Sequence, residues 1–113
     1  MGLENQELLQ AEIEKRKHRR AKLITQVKCQ AMGREDLAVT RDVSVGGMFL
    51  TEKDPFPANS TVKLAFRLSP TEPLLTCGGQ VVYSIQGVGM GVMFTDLSDE
   101  VRETLQKFID AAN

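Results

Sequence analysis

The sequence is poor in the side chains that carry most enzyme and metal chemistry. Its 113 residues include no tryptophan, one tyrosine, one histidine, two cysteines and four prolines. Cys29 and Cys77 stand too far apart to form a CxxC pair or a zinc knuckle, so we expect reduced, buried thiols. The single histidine, His18, lies in a basic run with no nucleophile or acid pair beside it. We therefore expect no metal, no cofactor and no enzymatic activity.

Long apolar runs are also missing. A membrane-spanning helix needs roughly 20 successive apolar residues, whereas the apolar runs here extend over only a few. Because the N-terminus also lacks an apolar signal core, we expect a cytoplasmic protein with no membrane partner. With 42% apolar and 26% charged residues, the chain has the composition of one folded domain. Its length is too small for two independent cores.

The net charge of −1 conceals an uneven distribution. Residues 15–22 contain six of the 14 lysines and arginines. Because the whole chain carries −1, the remaining residues carry −7. A basic segment attached to an acidic body predicts a local anion-binding patch rather than a generally basic surface.

The first part of the chain predicts a helix that runs into this basic segment. From residue 3 to about residue 17 the sequence is rich in good helix formers and has no glycine or proline. Its apolar positions form a narrow stripe that buries little surface: Leu8, Leu9 and Ile13. The sequence leaves open whether this helix frays, docks on the domain or pairs with a second copy in a homodimer. We treat residues 1–22 as an N-terminal helical and basic arm.

After the arm, the composition changes to short runs rich in valine, threonine, phenylalanine and leucine. Turn clusters separate these runs at intervals typical of antiparallel β structure. Residues 61–69 alternate between apolar and other residues, as in a strand with one buried face. The pattern predicts six strands: 23–32, 37–44, 47–52, 61–69, 74–86 and 89–96.

Such strands predict a closed sheet. A small open sheet leaves reactive edges, and closure of about six strands gives a barrel filled with side chains. We therefore predict an all-β domain over residues 23–113, a six-stranded antiparallel β-barrel with a C-terminal helix. The helix follows Asp96, where apolar residues recur at helical spacing, and Ser98 or Asp96 is suited to cap it.

The connections between the strands have recognisable turn chemistry. Residues 33–36 predict the first hairpin loop, and residues 69–73 predict another because their two prolines cannot donate hydrogen bonds to a sheet. The longer segment 54–59 is expected to cross one end of the barrel, since each proline favours an extended residue before it.

Two arginines four positions apart, Arg16 and Arg20, lie in the basic segment. The guanidinium fork binds phosphate bidentately, stacks on aromatic rings and pairs with the O6/N7 edge of guanine. Two forks at this spacing can clamp one ligand. The alternative is a solvated basic run at a helix end, which this motif alone does not exclude.

A second motif, Asp-x-Ser-x-x-Gly, occupies residues 42–47, where one predicted strand turns into the next. Asp42 and Ser44 point to the same side of an extended chain. Gly46 and Gly47 permit positive φ and close approach of a ligand to the backbone. A carboxylate can accept two N–H donors from the Watson–Crick edge of guanine. The alternative is a hairpin in which Asp42 and Ser44 bond local backbone N–H groups.

Together, the two motifs resemble those of the PilZ domain family. Arg16 and Arg20 form Arg-x-x-x-Arg, and Asp-x-Ser-x-x-Gly begins 22 residues after the second arginine. Residues 89–94 are similar to the Gly-x-Gly-Val-x-Phe ending common in the family. The resemblance covers residues 16 to about 110. It implies a six-stranded antiparallel barrel that binds cyclic di-GMP.

The resemblance assigns a role to each motif residue. Arg16 and Arg20 match the two arginines that contact the phosphates and guanine faces of the dinucleotide. Asp42 and Ser44 match the residues that contact the other guanine and its phosphate environment. Gly47 matches the glycine that keeps the turn tight against the ligand.

Four further residues have weaker assignments. Lys15 occupies the family position thought to decide whether one cyclic di-GMP or a stacked pair binds, and its positive charge favours the pair. Arg19 and Gly46 are expected auxiliary ligand contacts. Tyr83 falls where related domains often carry a large aromatic residue, and we expect its ring to pack in the core rather than stack on a ligand.

Two other functions are the alternatives. Small barrels also bind nucleic acid, but this chain has few aromatic residues for a base-stacking platform and its acidic body repels a long polyanion. A PilZ-type adaptor acts through protein contacts without a ligand, and the intact motifs argue against it. The expected mechanism is that cyclic di-GMP orders the arm, about residues 10–22, against the barrel and so creates a surface for an unidentified protein partner.

Overall fold

The computed structural model describes residues 19–112. The predicted N-terminal helix lies outside the described residues. Within the described part, six strands precede one helix: β1 (Ala21–Ala31), β2 (Arg34–Val43), β3 (Gly47–Thr51), β4 (Thr61–Phe66), β5 (Leu75–Ile85), β6 (Gly89–Asp96) and α1 (Asp99–Ala112). The order and number of these elements confirm the predicted architecture.

The six strands form a closed antiparallel barrel in the order β1-β2-β3-β6-β5-β4. Closure depends on β1, which pairs with β2 on one side and with β4 on the other. One end of the barrel contains the starts of β1 and β5 together with α1, and we call it the α1 end. The opposite end contains the β1–β2 and β5–β6 turns, and we call it the hairpin end. The closed sheet leaves no unpaired edge.

Alternating side chains fill the barrel. On β4, Val62, Leu64 and Phe66 are at most 2% exposed, whereas the residues between them are more accessible. Leu68 continues this buried row beyond the strand. The alternation read from residues 61–69 therefore identified the buried face correctly, although β4 ends at Phe66 rather than at residue 69. The chain leaves the sheet there for a turn in which Glu72 N donates to Ser69 O at 3.1 Å.

The first hairpin is tighter than the sequence predicted. The loop expected at residues 33–36 is a two-residue turn at Met32 and Gly33, and Ala31 already pairs with Arg34. Both turn residues have positive φ, 52° and 72°, as a type I′ hairpin turn requires. The charged residues after the turn belong to β2, because their side chains lie outside the barrel, where Lys28 and Glu35 approach within 3.9 Å.

The connection between β3 and β4 crosses the hairpin end, as predicted. These strands lie on opposite sides of the barrel. Phe56 enters the core and is 1% exposed. Asn59, with φ of 74°, donates its N–H to Val81 O at 2.7 Å and so ties the connection to β5.

Helix α1 closes the other end. Val101 N donates to Ser98 Oγ at 3.2 Å, which identifies Ser98 as the N-cap. Asp99 and Glu100 occupy the first turn, where negative charge stabilises the helix dipole. Leu105 and Ile109 are buried, and the helix packs against β1 and β5. Within residues 19–112 we find no helix with the length and apolar character needed to cross a membrane.

Both cysteines are free, as predicted. Cys29 is buried as expected, whereas Cys77 is only partly buried. Cys29 on β1 and Cys77 on β5 pair with the same residue of β4, Leu64, from opposite sides. Because neighbouring strands are about 4.8 Å apart, the two Cα atoms lie beyond disulfide range. Burial raises the pKa of Cys29 to about 12 and that of Cys77 to about 11. Both therefore stay protonated and unreactive at neutral pH.

Candidate functional site

The structure joins the two sequence motifs through an arginine–carboxylate pair. Arg20 immediately precedes β1, and its Nη2 donates to Oδ1 of Asp42 on β2 at 2.5 Å. The two side chains are 24% and 45% exposed. Arg20 Nε is buried without a hydrogen-bond partner among the described residues. The pair therefore leaves donor capacity on the guanidinium and acceptor capacity on the carboxylate.

A distortion of the sheet positions Asp42. The β1–β2 register shifts between Lys22 and Thr25, and the β2–β3 register shifts between Thr40 and Val43. Thr40 is fully buried, and its hydroxyl lies 2.8 Å from Asp42 O and 2.9 Å from Phe49 O. Such bulges re-aim a side chain. The sequence analysis missed Thr40, whose only signal was a polar residue at an inward position of a strand.

The turn after Asp42 is built around Ser44. Its backbone N donates to Gly47 O at 3.0 Å. Its Oγ accepts from Gly46 N at 3.1 Å and from Gly47 N at 3.2 Å. Ser44 is 2% exposed. The serine therefore follows the alternative interpretation, bonding local N–H groups, whereas the carboxylate of Asp42 is directed to Arg20.

The sequence permits a positive φ at the two glycines of this turn, but neither adopts one. Gly47 is required for a different reason. A Cβ at this position would lie 2.1 Å from Val92 O on β6. The glycine thus allows the backbones of β3 and β6 to approach closely, while Phe94 N donates to Gly46 O at 2.9 Å and fixes the turn to β6.

Consecutive arginines of the basic segment have different partners. Arg19 Nη2 donates to Asp110 Oδ1 on α1 at 2.6 Å, and this pair is more than half exposed. Arg20 turns to Asp42 instead. Arg16 and Lys15, the other basic residues assigned to ligand binding, lie outside the described residues. Of the five motif residues, the structure brings together Arg20, Asp42 and the Ser44–Gly47 turn.

An aromatic pair lies on the outer wall near these residues. The rings of Tyr83 and Phe49 stack with centroids 6.2 Å apart. Gly91 stands between them in the sheet, and a Cβ there would lie 2.3 Å from the Tyr83 ring. Tyr83 therefore packs outside the barrel, not in the core as predicted, because Gly91 leaves room for its ring. Burial raises its pKa, Arg20 opposes that rise and Asp42 adds to it, so the phenol lies within electrostatic reach of the pair.

Among residues 19–112, no group of histidine, cysteine, aspartate and glutamate side chains is arranged to hold a metal ion. The site described by Arg20, Asp42 and Tyr83 instead offers guanidinium donors, carboxylate acceptors and an aromatic ring. These groups suit a ligand with phosphates and planar bases.

The sequence matches the PilZ domain model over residues 14–111. This chain belongs to the PilZ domain family, as its motifs predicted. A comparison with curated protein sequences gave no significant match.

Three solved structures share its fold. The Bacillus subtilis inhibitor of motility, MotI/DgrA, aligns with a TM-score of 0.73 and 15% identity over 86% of this chain and 50% of that one. The PilZ domain of YcgR from Escherichia coli, with c-di-GMP, aligns with a TM-score of 0.67 and 13% identity over 87% and 91% of the two chains. PlzA of Borreliella burgdorferi, in complex with c-di-GMP, gives 0.59 and 14% over 90% and 45%. This chain thus spans about half the length of MotI and PlzA.

Proposed function

We propose that this chain is a cytoplasmic, non-catalytic receptor for cyclic di-GMP (c-di-GMP). The observation that carries the proposal is the Arg20–Asp42 pair, which joins the two family motifs at a partly exposed position. Membership of the PilZ domain family supports it. The folds of the YcgR PilZ domain and of PlzA, both solved with c-di-GMP, support it further.

The chemistry of the pair matches the proposed ligand. Each half of c-di-GMP presents a phosphate, which guanidinium groups bind through charge-assisted hydrogen bonds. Guanine presents N–H groups, and a carboxylate can accept their hydrogen bonds. The bond between Arg20 and Asp42 keeps both side chains positioned for the ligand. A hydrogen bond that they lose to each other can be replaced by one to c-di-GMP. Arg16 is proposed to supply the other guanidinium that contacts the ligand.

Ser44 and Gly47 are assigned an indirect part. The Ser44 hydroxyl is engaged inside the turn and almost fully buried. Gly47 is pressed against β6. We propose that both residues hold the turn in the shape that presents Asp42 and the backbone of Gly46 to the ligand. Tyr83 forms the aromatic rim of the site.

The remaining assignments concern stoichiometry and output. Lys15 favours a stacked pair of c-di-GMP over a single molecule, with Arg19 as an auxiliary phosphate contact.

The ligand is proposed to order residues 10–22 against the barrel and so to create a surface for a partner protein. NMR relaxation of these residues with and without c-di-GMP measures this effect, and identical relaxation in both states contradicts it.

Isothermal titration of the protein with c-di-GMP tests the proposal, with linear GMP and single-stranded DNA as controls. We expect saturable binding that is selective for the cyclic dinucleotide, with a ligand-to-protein ratio near two if the pair binds. Absence of c-di-GMP binding contradicts the proposal and favours a protein-binding adaptor. Binding of DNA alone, with steep salt dependence, favours the nucleic-acid alternative.

Substitution of the arginines tests the site itself. Arg20→Ala and Arg16→Ala each remove charge-assisted hydrogen bonds, and we expect affinity to fall about tenfold or more. Arg20→Lys keeps the charge but loses the planar fork, so it should also weaken binding. Lys63→Ala, an exposed cation on β4, is the charge-matched control. Equal affinity of the control and both arginine variants contradicts the site assignment.

A further inference from the structure

A separate pocket adjoins the turn that follows Asp42. Its volume is about 330 Å³. Val45 and Gly46 of the turn form one side, the end of β6 forms another, and Arg102 of α1 completes it. Asp96 and Leu97, between β6 and the helix, also line it. The pocket is therefore continuous with the Asp-x-Ser-x-x-Gly motif but is bounded by residues outside both motifs.

Two residues with charged side chains line the pocket, Arg102 and Asp96. Among the described residues, neither the Arg102 guanidinium nor the Asp96 carboxylate makes an ion pair or a side-chain hydrogen bond. The guanidinium groups of Arg19, Arg20 and Arg34, by contrast, all have partners. Arg102 and Asp96 thus both line this cavity, and the Asp96 side chain also lies beside Gly78 of β5 and adds to the raised pKa of the Cys77 thiol.

These two charges match the two ends of a guanine nucleotide. A guanidinium donates to phosphate oxygens in a fork, and a carboxylate accepts from the N1–H and N2–H₂ donors of guanine. Val45 and Leu97 supply apolar contacts for the planar base. The volume lies near the lower end of the range for small-molecule sites, about 300 to 1,000 Å³, and is suited to one nucleotide half of a larger ligand.

We propose that this pocket is a further guanylate subsite, in which Asp96 recognises guanine and Arg102 binds the attached phosphate. The inference rests on the proposed function, because it assigns the pocket one half of the second c-di-GMP molecule of a stacked pair. Asp42 precedes the turn, and Val45 and Gly46 of that turn line the pocket, so we assign the two molecules of a stacked pair to the two places. The subsite would make helix α1 part of the ligand-binding surface.

Four single variants of the full chain test the subsite by titration with c-di-GMP and cyclic di-AMP. Arg102→Gln has Lys107→Gln as its charge-matched control on the same helix, and Asp96→Asn has Glu103→Gln. Both control residues are exposed and lie outside the pocket. Thermal unfolding of each variant verifies that it is folded.

We expect Arg102→Gln to weaken c-di-GMP binding about fivefold through loss of a charge-assisted hydrogen bond at an exposed position. Asp96→Asn should reduce the preference for c-di-GMP over cyclic di-AMP about tenfold, because an amide presents donors as well as an acceptor. A residue that only stabilises the fold would not change this preference. Both controls should bind like the wild type.

The possible failures are distinguishable. If the wild type binds c-di-GMP and Arg20→Ala reduces binding, but Arg102→Gln and Asp96→Asn behave like their controls, the subsite is wrong and the proposed function stands. If the wild type does not bind c-di-GMP, the proposed function fails and the subsite fails with it.

Discussion

Arg20 and Arg34 lie at opposite ends of the same barrel and differ in how their donors are satisfied. Among the described residues, the guanidinium of Arg20, at the α1 end, bonds Asp42, and its buried Nε donates to no acceptor. Arg34, at the hairpin end, pairs with Asp36 at 2.8 Å and with Asp54 at 3.4 Å. It also donates to Asp54 O at 2.8 Å.

Two further contacts complete the Arg34 environment. Its Cζ lies 4.2 Å from the centroid of the Phe56 ring, and its Nη2 lies 4.0 Å from Glu52 Oε1. These contacts link β2 to the connection that crosses the barrel. An arginine whose three guanidinium nitrogens all contact acceptors of its own chain stabilises the fold, whereas one with fewer partners has donors available to a ligand. By this criterion we assign the hairpin end a structural role and propose that the α1 end binds the ligand.

The largest expected effect contrasts one glycine from each end. Gly47→Ala places a Cβ 2.1 Å from Val92 O, and neither backbone can yield without breaking the β3–β6 pairing. We expect a loss of about 3 kcal/mol or more in the free energy of unfolding. Gly33→Ala meets no atom within 4 Å, but its φ of 72° costs about 1 kcal/mol for an L side chain. Urea unfolding measures both. Equal losses contradict the assignment of steric contact at Gly47 and conformational strain at Gly33.

The next expected effect separates the arginine that stabilises the fold from the arginine that is proposed to bind the ligand. Arg34→Ala removes the ion pairs and the contact with Phe56, and we expect the free energy of unfolding to fall by about 1 to 2 kcal/mol. Affinity of the folded variant for c-di-GMP should be unchanged. Arg20→Ala should show the opposite pattern, with weaker binding and a stability change within about 0.5 kcal/mol. Loss of ligand binding in folded Arg34→Ala overturns the functional distinction between the two ends.

A further expected effect is a pH dependence that arises at the hairpin end. Glu52 is 10% exposed, and its pKa is raised to about 7 by burial and by hydrogen bonding and repulsion from Asp36. Asp54 adds to the rise and Arg34 opposes it. The ordinary glutamate value is 4.5, so the folded chain binds this proton more tightly than the unfolded chain. Its contribution to stability is complete below about pH 4.5 and is lost as the pH rises through about 7.

Urea unfolding between about pH 5 and pH 8 measures this contribution. Glu52→Gln cannot titrate, so its stability should decline less than that of the wild type over this range. Glu103→Gln, an exposed glutamate on α1, is the matched control and should retain the decline. Parallel curves for the wild type and Glu52→Gln contradict the assignment of the proton to Glu52.

Most of the fold was predictable because local patterns and tertiary packing agree. The alternation on β4 identified the inward row, and the helical spacing after Asp96 identified α1. The first hairpin was misplaced because Arg34, Glu35 and Asp36 look like loop residues in sequence. They are stable in a strand because their partners lie on β1 and on the chain crossing the barrel.

The candidate site was predictable to a smaller extent. The resemblance to the PilZ domain family implied that Arg20 and Asp42 serve one ligand, and the structure joins the two side chains. The roles of Thr40, Gly47 and Tyr83 were not predictable, since each depends on a neighbouring strand. Thr40 bonds a carbonyl of β3, Gly47 faces a carbonyl of β6, and the Tyr83 ring occupies the space above Gly91.

The sequence by itself determined the order of the strands and helix along the chain, the buried faces and the residues that identify the family. These properties follow from side-chain periodicity, turn chemistry and short motifs, which act within a few residues of one another. Tertiary structure alone decided which arginine is engaged by the fold, which glycine is required by close strand approach and which charges share the pocket beside Gly46. Those outcomes depend on contacts between strands distant in sequence, and barrel closure sets their geometry.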